Sequence, residues 1–539
     1  MGKRGRAPRP VRVGMIGLGC AKNLVDGEVM LGHLVEHGAE IVTELDRADV
    51  VIVNTCGFIE DAKQESIGAI LELARGKSDG TLRRLVVAGC MAQRYAAELA
   101  AEVPEIDAFV GLDELERVPE AVLGELGRAH LPDQRGALKL YDHAAPRLLA
   151  TGGVYAYLKV AEGCNNPCSF CHIPRMRGEF RSRTIASLVE EARRLEEAGV
   201  RELVLIAQDT TRFGEDLGLG RAGLCRLLEA LLSGTTIPWL RFMYAYPATL
   251  DPGIFRLMAR EERLVPYLDI PLQHASRKVL KAMKRGGDAR SYRELIARAR
   301  QEVPALAVRT TFIVGFPGEG EAEFDELQRF LAEMRFDHVG VFTYSFQEEN
   351  PGAALGDPVA RHVKEQRRRT LMKQQERISR ENHRRLKSED LLAIVDGPSP
   401  ESDYLLQGRL RRQAPEVDGR VLFCTGSAEP GDVVRVRITK AYAFDLVGEI
   451  DEVVVPALAP RRVMLPSLTL PTRGESQASR PVGACGEIRG DSPSAMEAAE
   501  PGRGRRSGDG ERHTPPQRSK LSAKGGVVGA VSRGPTVGE

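Results

Sequence analysis

Three cysteines crowd one short segment. GCNNPCSFCHIP carries Cys164, Cys168 and Cys171 at C-x3-C-x2-C spacing. Three thiolates on one tight loop can each bind one iron of a [4Fe–4S] cluster, since such clusters are held by cysteinates. The fourth iron then lacks a protein ligand, and an open position is what catalysis at a metal requires. An amino acid chelate suits that position. The alternatives are a zinc site, with His172 adjacent and four ligands to find, or three unrelated thiols. The place of the loop, directly after a candidate strand, favours the cluster.

A second set is dispersed. Cys20, Cys56 and Cys90 end the segments GLGC, VNTC and VAGC, each the close of an apolar, β-like run. Strand ends of one parallel sheet share an edge, so the three thiols can converge although their spacing alone never shows it. One such cysteine reads as a small buried hydrophobe. Three, each beside Gly or a polar residue, read as ligands of a second cluster. Cys225, Cys424 and Cys485 complete the nine cysteines of the 539-residue chain. An odd count and clustered spacing argue against a disulfide framework. Cys225, in GLCRLLEALL, and Cys424, in RVLFC, read as core.

The elements that must position these residues form an α/β scaffold. The length exceeds one hydrophobic core. Over residues 11–126, VRVGMIGLGC, ADVVIVNTCG and RRLVVAGC alternate with helical patterns, the first closed by Gly38, which predicts a parallel sheet covered by helices. An irregular stretch to residue 150 reads as a linker. Over 150–380 six strand-like runs, AYLKVAEG, ELVLIAQDT, WLRFMYAYP, YLDIPLQ, VRTTFIVGF and HVGVFTYSF, alternate with helices. That rhythm predicts a partial (β/α)6 barrel with its site at the carboxyl ends of the strands. Gln208, Asp209, Tyr244, Tyr246, Gln273, His274 and GFPGE gather there. Residues 383–452 hold five short β-like runs and predict a small antiparallel barrel. Residues 456–539 contain no Phe, Trp or Tyr and read as a disordered tail, so Cys485 is incidental.

The C-x3-C-x2-C spacing with Phe170 before the last cysteine is similar to the signature of the radical S-adenosylmethionine superfamily. IVGFPGE, residues 313–319, resembles that superfamily's late-strand glycine motif. The resemblance implies that a cluster at Cys164, Cys168 and Cys171 binds S-adenosylmethionine, passes one electron to its sulfonium and releases a deoxyadenosyl radical. Phe170, Gln208, Gln273, Ile313 and Gly315 are the candidate cofactor-binding residues. Gln273 and His274 read equally well as ordinary loop polars.

LGCAKNLVDGE, VIVNTCGFIEDAKQES and VVAGCMAQRY resemble the N-terminal domain of the methylthiotransferases, and the last barrel resembles a TRAM domain. The likeness covers about residues 11–452. It implies an auxiliary [4Fe–4S] cluster on Cys20, Cys56 and Cys90 that carries the sulfur to be inserted. It also implies two S-adenosylmethionine molecules per turnover, one methylating the sulfide and one cleaved to the radical. GLGCAKNLVDGE, IPRMRGEFRSR and RRQAPEVDGRVL resemble the RimO branch. Its substrate is the β-carbon of an aspartate on the twelfth small-subunit ribosomal protein, with an electron donor and a sulfur source as further partners. The alternative substrate, of the sister branches, is a tRNA adenosine next to the anticodon. Ala21 and Gly27 depart from the Pro and Ser usual in the branch, and neither position supplies a ligand.

Charge adds little. Lys and Arg total 76 against 75 Asp and Glu, a net charge of +1, which gives no general argument for nucleic acid or membranes. In the small barrel, RRLKSED, GRLRRQ and VRVRITK are diluted by Glu389, Asp390, Glu416, Asp418, Glu429 and Asp432. A solvated face of mixed charge explains that pattern as readily as an RNA surface does, and it suits a protein substrate better. An RNA-binding protein with structural zinc is the reading from a different class. No run of about 18 apolar residues occurs, and the basic MGKRGRAPRPVRV leads into no signal-like apolar stretch. A cytoplasmic, membrane-free location is the expectation.

Overall fold

The computed structural model describes residues 9–133, 139–387 and 389–457. The expected disordered tail, with Cys485, lies outside the described residues from 458 onward. Among the described residues no helix is long and apolar enough to cross a membrane.

The first sheet is built from β1 (Arg12–Gly17), α1 (Ala21–Glu36), β2 (Glu40–Ile41), β3 (Val50–Thr55), α2 (Glu60–Ser78), β4 (Arg84–Gly89), α3 (Cys90–Glu102), β5 (Ala108–Val110) and α4 (Val118–Leu123). Its strands run parallel in the order β2-β1-β3-β4-β5. Every residue of β3 is buried. Val50 and Ile52 pack with Met30 of α1 and Val122 of α4 on one face. Val51 and Val53 pack with Ile70 of α2 and Ala92 of α3 on the other. A strand covered on both faces needs an unbroken apolar run, which VVIV supplies.

The core follows with β6 (Tyr155–Lys159), β7 (Ala161–Glu162), α5 (Ile173–Met176), β8 (Arg181–Ser182), α6 (Ile185–Glu197), β9 (Glu202–Ile206), α7 (Gly223–Gly234), β10 (Trp239–Phe242), α8 (Gly253–Arg260), β11 (Tyr267–Asp269), α9 (Arg277–Ala282), α10 (Ala289–Glu302), β12 (Ala307–Val314), α11 (Glu321–Met334) and β13 (His338–Thr343). One parallel sheet holds β6, β9 and β10, and another holds β11, β12 and β13. Main-chain bonds from Val265 to Leu240 and from Ala245 to Asp269, both 2.9 Å, carry the curvature from β10 to β11. Six parallel strands therefore stand in chain order, as a partial barrel should. Some are shorter than their apolar runs suggested. β10 stops at Phe242, two residues before Tyr244 (φ 63°), a left-handed conformation that no strand continues, and β11 stops at Asp269.

Helix α12 (Arg361–Arg385) packs along β13 and leads to a closed barrel of β14 (Asp390–Ser399), β15 (Ser402–Leu410), β16 (Val421–Thr425), β17 (Val433–Ala441) and β18 (Leu446–Val455). Its neighbours are antiparallel except β16 and β18, which pair in parallel. Five strands around a closed ring cannot all alternate in direction, so one parallel pair is unavoidable.

Two of the contacts that join these parts close the floor and the flank of the core. Residues 413–418, between β15 and β16, enter the amino end of the six-strand core. Asp418 accepts from the Tyr267 hydroxyl at 2.7 Å, and Glu416 accepts from Tyr155 and Tyr157 at 2.6 and 3.1 Å. The floor of the core is thus closed opposite the carboxyl ends of its strands. The stretch expected as a linker contributes the second contact. Arg147 is buried, with Glu28 of α1 at 2.6 Å, Glu191 of α6 at 2.8 Å and the Tyr157 carbonyl at 2.8 Å. Pro and Gly mark an irregular backbone there, and irregular backbone can still carry a buried staple.

Removing one partner of a buried ion pair strands the others without water. Arg147→Met is expected to lower the free energy of unfolding by about 3–5 kcal/mol, read as a shifted denaturant midpoint. Adding Glu28→Gln to that variant is expected to recover part of the loss. An unchanged midpoint in the single variant would contradict the staple.

Candidate active site

The loop after β6 starts at a glycine that no other residue replaces. Gly163 has φ 79°, and a Cβ there would lie 2.2 Å from the Glu179 carbonyl oxygen. β7 pairs with β8 on either side of the excursion, and the Cys164 amide donates to Gly178 O at 3.1 Å. Cys164, Cys168 and Cys171 are buried. Each sulfur accepts an N–H: Asn166 N to Cys164 at 3.4 Å, Ile173 N to Cys171 at 3.4 Å, and Arg285 Nη1 to Cys168 at 3.6 Å. Donors aimed at sulfur stabilise negative charge on it, as thiolate ligation requires.

These cysteines line a small hollow, partly open to solvent, with Asn166, Phe170, Gln208, Tyr244, Tyr246 and Arg285. Gln208 follows β9. Its Nε2 donates to Glu162 Oε1 at 2.7 Å, which fixes the amide and leaves Oε1 as the acceptor. That oxygen is buried without a hydrogen-bond partner among the described residues. A buried acceptor left unmet costs about 1–3 kcal/mol, so the hollow suits a ligand with N–H donors, such as the amino group of an amino acid. The Arg285 guanidinium lies 4.3 Å from the Tyr246 ring centre, and Asn166 is held by Asp209 at 2.8 Å.

The second triad lies on the first sheet. Cys20 joins β1 to α1, Cys56 follows β3, and Cys90 opens α3 after β4. Since β1, β3 and β4 are neighbours, the three residues come to one sheet edge. The approach is close: a Cβ on Gly19 (φ 92°) would lie 2.8 Å from Cys56 Cβ. Asn54 Nδ2 donates to Asn23 O and Asn23 Nδ2 to Leu18 O, both at 2.7 Å, bracing the turn. Burial pushes the Cys90 thiol up to about 11, with the Arg177 guanidinium pulling the other way. Burial, with Cys90 and Cys20 nearby, raises Cys56 further. Buried thiols of this kind give up their protons when a metal takes the place of the proton. A [4Fe–4S] cluster takes one thiolate per iron. Both triads fit that donor set.

Between the triads lie four buried charges. Arg177 Nη2 is 3.2 Å from Cys90 Sγ and 3.1 Å from Asp26, and its Nη1 is 3.0 Å from Glu162. Lys159 contacts Asp26, and Glu162 at 2.8 Å. Phe58 and Phe170 pack on the buried group that contains Cys90, Cys164, Cys168 and Cys171. The same two rings line a second, larger hollow, partly open to solvent, which runs along β13 past Ile313, Val341 and Tyr344.

The sequence candidates therefore separate. Phe170 and Gln208 line the first hollow and Ile313 the second. Gln273 and Gly315 are among the lining residues of neither. Gln273 is fully buried in the segment after β11, bridged to Phe312 of β12. Gly315 (φ 75°) is a packing position, where a Cβ would lie 2.3 Å from Lys364 Cγ, and its amide donates to Glu319 at 2.7 Å. His274 stands behind the same motif, 3.5 Å from Glu319. Cys225 packs against the core and Cys424 is buried in β16. Sequence reasoning missed Asn166, Arg285 and the four charges. Arg177 sits in the quoted run IPRMRGEFRSR, six residues past Cys171, whereas Arg285 in KRGGD gives no signal at all.

Comparison with known proteins agrees with this architecture. The family models described as Uncharacterized protein family UPF0004, Radical SAM superfamily and TRAM domain match residues 12–111, 158–331 and 389–450. The chain is 46% identical over 442 residues to the ribosomal protein uS12 methylthiotransferase RimO of Pelobacter propionicus, covering 82% of this chain and 98% of that one. Its counterpart in Geobacter sulfurreducens is also 46% identical, over 81% of this chain and 98% of its own length. Among solved structures, the radical S-adenosylmethionine methyltransferase TsrM of Kitasatospora setae is 15% identical, with a TM-score of 0.48 over 64% of this chain and 75% of that one. At such identity across nearly the whole length of its relatives, the chain belongs to the RimO family of radical S-adenosylmethionine methylthiotransferases.

Proposed function

We propose that this chain adds a methylthio group to the β-carbon of an aspartate on ribosomal protein uS12. In this reading Cys164, Cys168 and Cys171 hold a radical-generating [4Fe–4S] cluster, and Cys20, Cys56 and Cys90 hold an auxiliary one. Residues 11–126, 150–380 and 383–452 are the auxiliary-cluster domain, the radical core and the small barrel. The observation that carries the reading is the pair of separate thiol triads, one on a loop with an N–H to each sulfur and one at a sheet edge. When bound, the clusters and S-adenosylmethionine supply the electron transfer, the radical, the methyl group and the sulfur. That chemistry also calls for an electron donor and a sulfur source.

The chain's own part is positioning. Gln208, held by Glu162, presents Oε1 to the amino group of S-adenosylmethionine. Arg285 and Tyr246 wall the same hollow. Phe170 packs edge-on against Phe316, with ring centres 6.5 Å apart, and separates the cofactor hollow from the larger one along β13. The larger hollow admits a protein loop, and the buried faces of Phe58 and Phe170 keep water from the junction.

The direct test is the intact mass of uS12 after anaerobic incubation with reconstituted protein, S-adenosylmethionine and a chemical reductant. A gain of one methylthio group is expected. No gain on uS12, with methylthio-adenosine appearing in tRNA instead, would overturn the substrate. Cys168→Ala is expected to abolish cleavage of S-adenosylmethionine, measured as deoxyadenosine released, whereas Cys56→Ala should keep cleavage and lose sulfur insertion. Cleavage that survives Cys168→Ala contradicts the first assignment. Gln208→Leu removes a hydrogen bond from the amine, and should weaken S-adenosylmethionine binding about tenfold in equilibrium dialysis.

A further inference from the structure

We propose that Arg177 is a positioning residue that couples the two triads: it is carried on the radical-generating loop and sets the electronic environment of the auxiliary cluster through Cys90. The proposal rests on the reading of Cys20, Cys56 and Cys90 as cluster ligands.

Arg177 is 1% exposed, and the triad loop fixes where it can be. Its amide donates to Ile173 O at 2.7 Å, and the next residue, Gly178, accepts from the Cys164 amide at 3.1 Å. From that anchor the guanidinium crosses to the other domain. One nitrogen meets Cys90 Sγ at 3.2 Å and Asp26 at 3.1 Å, while the other meets Glu162 at 3.0 and 3.1 Å. Glu162 in turn accepts from Gln208 at 2.7 Å. A continuous polar path therefore runs from Cys90 of one triad, through Arg177 and Glu162, to Gln208 in the hollow of the other.

Ion pairing does not account for the contact with sulfur. Asp26 and Glu162 balance Lys159 and Arg177, so the four charges already cancel. The N–H turned toward Cys90 is additional. A hydrogen bond to a cluster sulfur draws electron density from it and makes the reduced cluster easier to reach, and partners outside the ligand shell tune metal sites in this way. A residue that served only to glue two domains would leave the potential of the cluster alone.

The test uses the full chain carrying Cys164→Ala, Cys168→Ala and Cys171→Ala, so that only the auxiliary cluster loads, and reads its midpoint potential by redox titration with electron paramagnetic resonance. Arg177→Gln is expected to lower the potential, and Arg177→Lys to restore part of the shift. Asp26→Asn keeps the guanidinium, leaves the set with one uncancelled positive charge, and is expected to raise the potential. If Arg177→Gln does not fold, Asp26→Asn decides alone. Potentials equal to the parent's in every variant that folds would overturn the role of Arg177 while leaving the cluster assignment intact. A parent that loads no cluster would overturn the assignment itself, and the proposal with it.

Discussion

Asp26, Lys159, Glu162 and Arg177 are each at most 4% exposed, and their desolvation constrains everything around them. Four charges taken out of water are tolerable only when each finds its partner in good geometry. α1 supplies Asp26, the end of β6 supplies Lys159, β7 supplies Glu162, and the segment after α5 supplies Arg177. The first sheet can therefore dock on the core in few ways that leave no charge unpaired. The docking that satisfies all four also brings Cys90 against the loop of the other triad. Arg147 repeats the device on the flank, between α1 and α6.

The core is closed at one end and chemically equipped at the other. At the amino ends of the strands, residues 413–418 of the small barrel seal the floor through Tyr155, Tyr157, Tyr267 and Arg309. At the carboxyl end of β10, left-handed backbone at Tyr244 stops the strand short. Strain of that kind persists where surrounding structure over-determines it, and it clusters at functional sites. The room gained there becomes the hollow beside Cys164, Cys168 and Cys171.

Much of this was legible in the chain. VVIV is apolar without interruption because β3 is covered on both faces, and GLGC, VNTC and VAGC end strands that are neighbours in one sheet. The spacing of the loop cysteines depends on local chain geometry alone. What escaped depends on contacts between distant segments. Arg147 lies in a stretch whose Pro and Gly suggested only a linker, yet its partners are 119 and 44 residues away. Arg285 reaches Cys168 across 117 residues. RRQAPEVDGRVL was readable as a branch marker, but its 413–418 portion is spent on the floor of the core, far from the carboxyl ends of the strands. Gly315 was readable as a motif glycine, and its constraint is the Lys364 side chain packed against it.

The most direct test of the account is the iron content of the anaerobically reconstituted chain, compared with that of a variant carrying Cys20→Ala, Cys56→Ala and Cys90→Ala. Two separate clusters predict about eight irons per chain in the parent and about four in the variant. About four irons in both would contradict the second cluster, and with it the division of labour between the two halves of the molecule.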